Sequence, residues 1–163
     1  MAQQQLESQT ASTLAVVEAF NEAFNRRDVD AIMNAMTDDC VFEGTGPVPD
    51  GARFQGQVAV RAVWERLFSS SPQAYFETED IFAHGDRCVG RWIYTWVDGD
   101  GNLGRLRGVD AFRVRDGKIA EKCSYVKGWI NAVREYSRLT GDLQEPNRHS
   151  RADGNPGDWL ELA

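Results

Sequence analysis

Apolar side chains in the N-terminal part of the chain recur at helical spacing and predict three helices. The first spans residues 10–26, the second runs from Asp28 to about Met36, and the third spans residues 57–69. Asp28 can cap the second helix, because its carboxylate can accept a hydrogen bond from a free backbone N–H at the helix start. The third helix is expected to bury an apolar face made of Val60, Val63, Trp64 and Leu67.

Strand-like patterns dominate the chain from Ala74 onward, where β-branched and aromatic residues are frequent. They predict four antiparallel strands, at residues 75–83, 87–97, 103–115 and 118–128. The pair Asp116-Gly117 is a strong signal for a tight hairpin turn between the last two strands. A shorter strand at residues 40–43 comes before them and is followed by a Gly- and Pro-rich loop at residues 44–56.

Helices followed by an antiparallel meander indicate an α+β fold, in which helices pack on one face of a curved sheet and leave a pocket. The predicted domain spans residues 10–140 and ends with a closing helix over residues 129–140. We expect residues 1–9 to be a flexible N-terminus and residues 141–163 to be a polar C-terminal tail, because both segments are polar.

Composition narrows the range of functions. The chain has 163 residues, enough for one domain with a real core, and its 42% hydrophobic and 26% charged residues are ordinary for a soluble protein. The net charge is −7 and the basic residues are scattered, so we expect no nucleic-acid partner. No run reaches the ~18 apolar residues that cross a bilayer, and the polar N-terminus has no signal-peptide core. We therefore expect no membrane association and a cytoplasmic location.

The three cysteines, Cys40, Cys88 and Cys123, are odd in number and lie in apolar, strand-like runs. We interpret them as buried free thiols in a reducing compartment. No pair has metal-ligand spacing, and the chain has only two histidines, His84 and His149. We therefore predict neither a metal site nor a cofactor.

Asp110 is the most informative residue of the chain. On the predicted strand at residues 103–115 it shares a face with Leu106, Gly108, Phe112 and Val114. The opposite face carries four arginines, Arg105, Arg107, Arg113 and Arg115. Asp110 is therefore expected on the apolar side of the sheet. A carboxylate there is costly unless it is paired, hydrogen-bonded or protonated, and a cavity that uses a tuned acid would supply a reason for that cost.

Five short segments of the chain carry a family resemblance. They are VVEAF at 16–20, NRRDVDA at 25–31, TDDCVF at 37–42, FQG at 54–56 and GVDAFRVRDGKI at 108–119. Through them the chain, over roughly residues 10–130, resembles the SnoaL-like branch of the nuclear transport factor 2-like superfamily. The resemblance implies a cone-shaped roll of three N-terminal helices packed on a curved, mostly antiparallel sheet that encloses one pocket. It specifies function weakly, because the superfamily includes isomerases, cyclases, hydrolases, dehydratases and non-catalytic binders.

The resemblance also implies roles for individual residues. Asp110 stands where SnoaL-like polyketide cyclases keep their catalytic acid–base aspartate, and where ketosteroid isomerases hold the protonated aspartate of the oxyanion hole. The chain departs from the isomerases at Gly44, which replaces the general-base aspartate, with Glu43 one residue away. It departs again at Phe20, which replaces the oxyanion tyrosine and has no proton to donate. Steroid isomerisation by that machinery is therefore not expected.

Two other enzyme classes of the superfamily fit less well. Enzymes like limonene-epoxide hydrolase need an Asp-Arg-Asp set; Arg91 matches the arginine, but Ile93 and Ser124 stand where the aspartates should be. Enzymes like scytalone dehydratase need a pair of histidines in the cavity. Here His84 falls in a predicted surface turn and His149 in the predicted tail.

The register of the last hairpin decides which side chains meet Asp110. A plain two-residue turn places Cys123 opposite Asp110, with Tyr125 on the same face. A bulged turn instead brings Lys122 and Ser124 to that face, and the family pattern favours this arrangement. A Lys122–Asp110 pair would keep the acid ionised, which suits an electrostatic anchor or weak base better than a proton donor.

The parity of the strand at residues 87–97 is also open. If Arg91 faces the pocket, an aromatic row of Trp92, Tyr94 and Trp96 lies outside and would make a natural dimer interface. If the parity is reversed, the aromatic row lines the pocket and Arg91 lies outside. We expect a homodimer formed through the outer face of the sheet.

The expected function is that of a cofactor-independent isomerase or cyclase, which performs acid–base proton transfer on an apolar carbonyl compound. The compound would be polyketide-like or another cyclic metabolite. Asp110 would be the acid–base group, and Tyr94, Tyr125 or Ser124 could hydrogen-bond the developing oxyanion. Further polar candidates are Arg91, Lys122 and Glu43. The expected pocket wall consists of Phe20, Phe42, Phe54, Trp64, Leu106 and Phe112.

The alternative is a non-catalytic binder of an apolar ligand, or a dimeric accessory protein. The missing general base and the phenylalanine at position 20 favour it. A closed pocket in which Asp110 is salt-bridged to Lys122 would support this alternative. An open pocket with an unpaired Asp110 and a second polar group about 3 Å from a common point would support catalysis.

Overall fold

A computed structural model describes residues 1–47, 50–71, 73–97 and 101–127 of the chain. These residues form three helices and six strands. The helices are α1 (Ala2–Asn25), α2 (Val29–Asn34) and α3 (Gln57–Ser70). The strands are β1 (Met36–Glu43), β2 (Arg53–Gln55), β3 (Tyr75–His84), β4 (Arg87–Val97), β5 (Leu103–Arg115) and β6 (Lys118–Lys127).

The six strands form one curved, mostly antiparallel sheet in the order β2-β1-β6-β5-β4-β3. Neighbouring described strands are antiparallel except β1 and β6, which run parallel. The helices pack on one face of this sheet, and apolar side chains from both layers form a buried core. The α+β architecture predicted from the sequence is confirmed.

The second and third helices lie close to their predicted positions. Asp28 caps α2 as predicted, since its Oδ1 accepts a hydrogen bond from the Ala31 N–H at 2.9 Å. The helix ends earlier than expected, at Asn34, and Met36 already belongs to β1. The predicted apolar face of α3 is buried. The sequence did not indicate β2, because three residues are too few to show a period-2 alternation.

The first helix begins earlier than predicted, at Ala2, so most of the segment at residues 1–9 is helical, and its flexibility stays a prediction. The segment is polar, but Ala, Gln, Leu and Glu are good helix formers, and polarity does not oppose an exposed helix. Two hydrogen bonds tie the helix to the β3–β4 turn. Thr13 Oγ1 donates to the Gly85 carbonyl at 2.7 Å, and the Gly85 N–H donates to Thr10 Oγ1 at 2.9 Å.

The C-terminal predictions concern a part of the chain that lies outside the described residues. This applies to the closing helix at residues 129–140, to the end of the domain and to the tail at residues 141–163. None of the described helices is long and apolar enough to cross a membrane.

The structure decides the parity of β4. Trp92, Tyr94 and Trp96 point to the helix-covered inner face and are 5%, 0% and 4% exposed. Arg91 lies on the outer face, where its guanidinium is 3.7 Å from the carboxylate of Glu79. The aromatic row therefore belongs to the core and cannot form a dimer interface. The homodimer itself stays a prediction.

Candidate functional site

Asp110 lies on the inner face of β5, as the alternation of the sequence predicts. Alternate residues of this strand from Leu106 to Val114 are buried, whereas those between them are more exposed. Asp110 itself is 5% exposed. The strand therefore carries a carboxylate into the space between the sheet and the helices.

The hairpin between β5 and β6 brings two polar side chains to Asp110. Its turn residues Asp116 and Gly117 both have positive φ (53° and 72°), as a type I′ turn requires. The ladder then shifts by one residue at a bulge, where Ala120 is the extra residue of β6. Ser124 consequently stands opposite Asp110. The bulged register favoured by the family pattern is confirmed.

Asp110, Ser124 and Lys122 form a closed hydrogen-bonded set. Lys122 Nζ lies 2.8 Å from Asp110 Oδ2, and the two side chains are 8% and 7% exposed. Ser124 Oγ donates to Asp110 Oδ1 at 2.6 Å and accepts from Lys122 Nζ at 2.8 Å. Both carboxylate oxygens thus have a partner, and each buried charge is compensated by the other.

Lys122 is surrounded by aromatic rings. Its Nζ lies 5.2 Å from the ring centroid of Phe42, 5.7 Å from that of Phe112 and 5.9 Å from that of Trp64. The negative faces of these rings attract an ammonium group and partly replace its water. An ammonium has three N–H bonds, and two of them point to the hydrogen-bond partners described above. The third can be donated to a ligand.

A narrow cavity lies between helices α1 and α3 and the inner face of the sheet, and Asp110 and Lys122 form part of its wall. The room that it leaves for the centre of a water molecule is about 20 Å³, and a total of about 480 Å³ is reached when all gaps between the lining atoms and the open solvent at the mouth are included. The aromatic part of the wall consists of Phe20, Phe24, Trp64, Phe76, Trp92 and Phe112. The rest consists of Asn21, Thr78, Gly90 and Arg91. A largely apolar cavity with a few polar groups can bind an apolar molecule and orient its polar end.

Three of the predicted polar residues do not turn their charged or hydroxyl groups into the cavity. Tyr125, a predicted oxyanion donor, is 59% exposed on the outer face. The bulge at Ala120 turns Lys122 and Ser124 inward and therefore turns Tyr125 outward. Arg91 borders the cavity, yet its guanidinium is paired on the outer face. Glu43 lies at the end of β1 and contacts Arg53 at 3.5 Å. The expected roles of Tyr125 and Arg91 are thereby contradicted by their orientation.

Tyr94, another predicted oxyanion donor, is buried in the core and is not part of the cavity wall described above. Its ring packs between Phe76 and Trp96, with centroids 4.4 and 5.3 Å away. Burial raises the pKa of Tyr94 to about 12, so the phenol stays protonated. Its placement indicates a role in packing.

The predicted wall residues divide into two groups. Those that line the cavity are Phe20, Trp64 and Phe112. Those that pack in the adjoining core are Phe42, Phe54 and Leu106. Phe42 still influences the site, because its ring contacts the ammonium of Lys122.

Several wall residues were not predicted from the sequence. Phe24 lies in the helix predicted at residues 10–26, and Phe76 comes from a distant strand whose placement needs the tertiary fold. Gly90 interrupts a strand that is otherwise dense in β-forming residues. A glycine in such a place is a signal for close approach of a ligand or a second backbone, and this signal could have identified it.

The three thiols are free, but Cys123 is only half-buried rather than buried as predicted. Burial raises the pKa of Cys88 to about 11 and also raises the pKa values of Cys40 and Cys123. Such thiols stay protonated at neutral pH and are weak nucleophiles. Within the described ranges, no group of three or more His, Cys, Asp or Glu side chains could hold a metal ion.

Comparison with known proteins agrees with this architecture. A family model described as a SnoaL-like domain matches residues 17–122. No curated protein sequence matches the chain. Among solved structures, a nuclear transport factor 2-like protein of unknown function from Mesorhizobium loti is 38% identical. That match has a TM-score of 0.63 and covers 73% of this chain and 93% of the other.

Two more distant structures share the fold. A protein from Xanthomonas campestris pv. campestris, named as a candidate polyketide cyclase, is 23% identical over 81% of this chain and 98% of its own, with a TM-score of 0.63. A protein from a soil-derived mobile gene cassette is 15% identical over 78% of this chain and 98% of its own, with a TM-score of 0.70. The family match spans more than half of the chain and includes Asp110 and Lys122. The chain belongs to the SnoaL-like family, and its fold is that of the nuclear transport factor 2-like proteins.

Proposed function

We propose that this chain binds an apolar, carbonyl-bearing small molecule in its cavity and catalyses proton transfer at the carbon next to the carbonyl. The observation that carries the proposal is the Asp110–Lys122 ion pair in the wall of an otherwise largely apolar cavity. A buried ion pair contributes little net stability, because desolvation offsets the attraction of the charges. A reaction that uses both charges would explain their position.

In the proposed reaction, the aromatic wall holds the apolar part of the ligand, and the carbonyl oxygen accepts the third N–H of Lys122. Asp110 takes a proton from the adjacent carbon, and the electron pair of that C–H bond moves into an enolate whose oxygen the ammonium stabilises. If a C=C bond is conjugated with the enolate, return of the proton from Asp110 to the far carbon of that bond gives isomerisation. If the enolate carbon instead attacks a second carbonyl of the same molecule, a C–C bond forms and that carbonyl becomes an alkoxide, which takes the proton back from Asp110 and completes the cyclisation. Ser124 keeps the carboxylate oriented through Oδ1.

The substrate class follows from the wall of the cavity. Six aromatic side chains surround the space, and flat ring systems pack well against such surfaces. A polyketide-like or other cyclic ketone has both the apolar ring and the carbonyl that this arrangement requires. One structural neighbour is named as a candidate polyketide cyclase, which agrees with this chemistry, although at 23% identity the likeness concerns the fold alone.

A second candidate function is non-catalytic binding of the same class of molecule. Two observations favour it. Asp110 is salt-bridged to Lys122, which is the arrangement expected above for a binder, and both of its oxygens already have partners, Lys122 and Ser124. A carboxylate in that state is a weaker base than a free one. In this case the ion pair would act only as the polar anchor for the carbonyl group of the ligand.

Hydrogen–deuterium exchange of a simple ketone separates the two candidates. β-Tetralone, a two-ring apolar ketone, is incubated with the protein in deuterated water, and loss of the protons next to its carbonyl is followed by NMR. We expect the wild-type protein to accelerate the exchange, and Asp110→Asn to slow it by about 100-fold or more, since removing a general base has effects of that size. Asp38→Asn, at an exposed position of β1, is the matched control.

The outcomes are distinct. Binding of β-tetralone without acceleration by the wild-type protein would reject the enzyme and leave the binder. Exchange that is as fast with Asp110→Asn as with the wild type would reject the role of Asp110 as the base.

A further inference from the structure

Gly90 occupies an unusual place in the sheet beside the proposed base. The registers of β3, β4, β5 and β6 align Ile81, Gly90, Asp110 and Ser124 in one row across the inner face. Gly90 is therefore the direct cross-strand neighbour of Asp110, and it is buried and part of the cavity wall. The neighbour of Asp110 on β4 therefore has no side chain.

Two other glycines on the inner face show the usual reason for a missing side chain. Gly104 and Gly108 stand opposite Trp96 and Trp92, and each tryptophan ring lies directly over its glycine. A Cβ atom at either position would overlap the ring. Those glycines make room for core packing.

At Gly90, by contrast, no side chain of the described residues fills the space that a Cβ atom would occupy. A Cβ placed on it would meet no described heavy atom closer than Ile81 Cγ1, at 4.0 Å. Its backbone is not among those with a positive φ, so any L-residue could adopt its conformation. Glycine inside a strand reduces stability, and here neither packing nor backbone geometry compensates for that loss.

We propose that Gly90 is a specificity-determining position, where the bare backbone receives the ring of the ligand whose carbonyl group meets Asp110 and Lys122. The space over Gly90 lies next to the carboxylate, and the aromatic rings of Phe76, Trp92 and Phe112 are in the same wall. A flat ring can lie against a peptide unit that has no side chain. The size of residue 90 then sets which molecules reach the ion pair. This inference rests on the proposed function, because it assumes a ligand at the ion pair.

Substitutions of increasing size at Gly90 test the inference. Binding of β-tetralone is measured by NMR titration for the wild type, Gly90→Ala and Gly90→Val. We expect affinity to fall about threefold with alanine and more than about tenfold with valine, since a blocked subsite loses the contacts of the ring. The matched control is Ala111→Val, which adds bulk next to Asp110 on the opposite face of β5. It is expected to leave the affinity unchanged.

Stability supplies a readout that needs no ligand. Gly90→Ala is expected to unfold at the same or a higher urea concentration than the wild type, because the added methyl group enters free space. Unfolding at a lower concentration would overturn the inference, and so would unchanged binding by Gly90→Val or an equal loss with Ala111→Val. Failure of the wild type to bind β-tetralone would instead overturn the proposed function together with this assignment. Normal wild-type binding with an insensitive Gly90→Val would overturn the assignment alone.

Discussion

Both faces of the sheet carry ion pairs, but the two sets differ in burial and in consequence. On the inner face, Lys122 and Asp110 are less than one-tenth exposed and share Ser124 as a common partner. On the outer face, Arg107 donates to Glu79 at 2.6 Å, with the side chains 48% and 18% exposed. The outer pair is solvated and screened, and its loss matters little. The inner pair is buried away from water, so each charge is stabilised mainly by the other.

The comparison shows that the sheet uses its two faces for different tasks. The outer face is a solvated surface laced with arginines and glutamates, as the alternation of β5 predicts. The inner face combines tight aromatic packing with a charged pair that opens on a cavity. This difference between the faces is the reason for the proposal that the inner pair serves the chemistry of the cavity.

The largest expected effect is that of breaking the inner pair. Lys122→Met should lower the free energy of unfolding by roughly 3–5 kcal/mol at neutral pH, because it leaves a buried carboxylate without its counter-charge. Urea unfolding followed by circular dichroism measures the loss. The matched control is Arg107→Met on the outer face, which should cost much less.

The double variant Asp110→Leu with Lys122→Met sharpens the same comparison. Replacement of both charges by apolar side chains should restore most of the stability lost in Lys122→Met, since apolar pairs often equal or exceed a buried ion pair. A single variant that is no less stable than Arg107→Met would contradict the difference between the two faces.

A smaller effect is expected from the packing of the inner face. Gly108→Ala should lower the free energy of unfolding by about 1–3 kcal/mol, because its methyl group overlaps both the Trp92 ring and the backbone carbonyl oxygen of Tyr125. The matched control is Ala111→Val, which adds bulk on the outer face of the same strand and should have little effect. Equal losses in the two variants would show that the faces are packed alike.

The contribution of the outer Arg107–Glu79 pair to stability should depend on pH. Its hydrogen bond from Arg107 lowers the pKa of Glu79 below the ordinary value of 4.5. Because the folded pKa is the lower one, the pair stabilises the fold above pH 4.5, and this contribution disappears as the pH falls through the lowered pKa. Glu79→Gln should be slightly less stable than the wild type at neutral pH and equal to it in acid. A difference that grows on acidification would contradict the assignment.

The smallest effect concerns thiol reactivity and leaves stability untouched. Cys123 lies half-buried in β6, whereas Cys88 is buried and burial raises its pKa to about 11. Ellman's reagent should therefore label Cys123 first in the folded protein and reach Cys88 only on unfolding. Variants with one of the two cysteines changed to alanine identify the signal. Faster labelling of Cys88 would mean that the inner face is open to solvent.

Much of the fold could be predicted from the sequence, because local patterns determine it. The alternation of β5 placed Asp110 on the inner face, and Asp116-Gly117 marked the hairpin turn. The pairing with Ser124 needed more, since one extra residue at Ala120 reverses the faces of β6 and no local pattern fixes a bulge. The family pattern, rather than the spacing of residues, indicated that register.

The shape of the site could not be read from the sequence. Both faces of β4 carry large β-forming residues, so its period-2 pattern does not show which face is buried. The cavity depends on where helix and strand side chains meet across the layers, as with Phe76 and Gly90. The empty space of the cavity results from the packing of the whole fold, and a glycine in a strand indicates it only indirectly.

A crystal structure of the protein with β-tetralone tests the central claim most directly. We predict that the carbonyl oxygen lies within hydrogen-bond distance of Lys122 Nζ, with the adjacent carbon beside the Asp110 carboxylate and the ring over Gly90. Electron density for the ketone on the outer face, or an empty cavity with ketone at saturating concentration, would contradict the account.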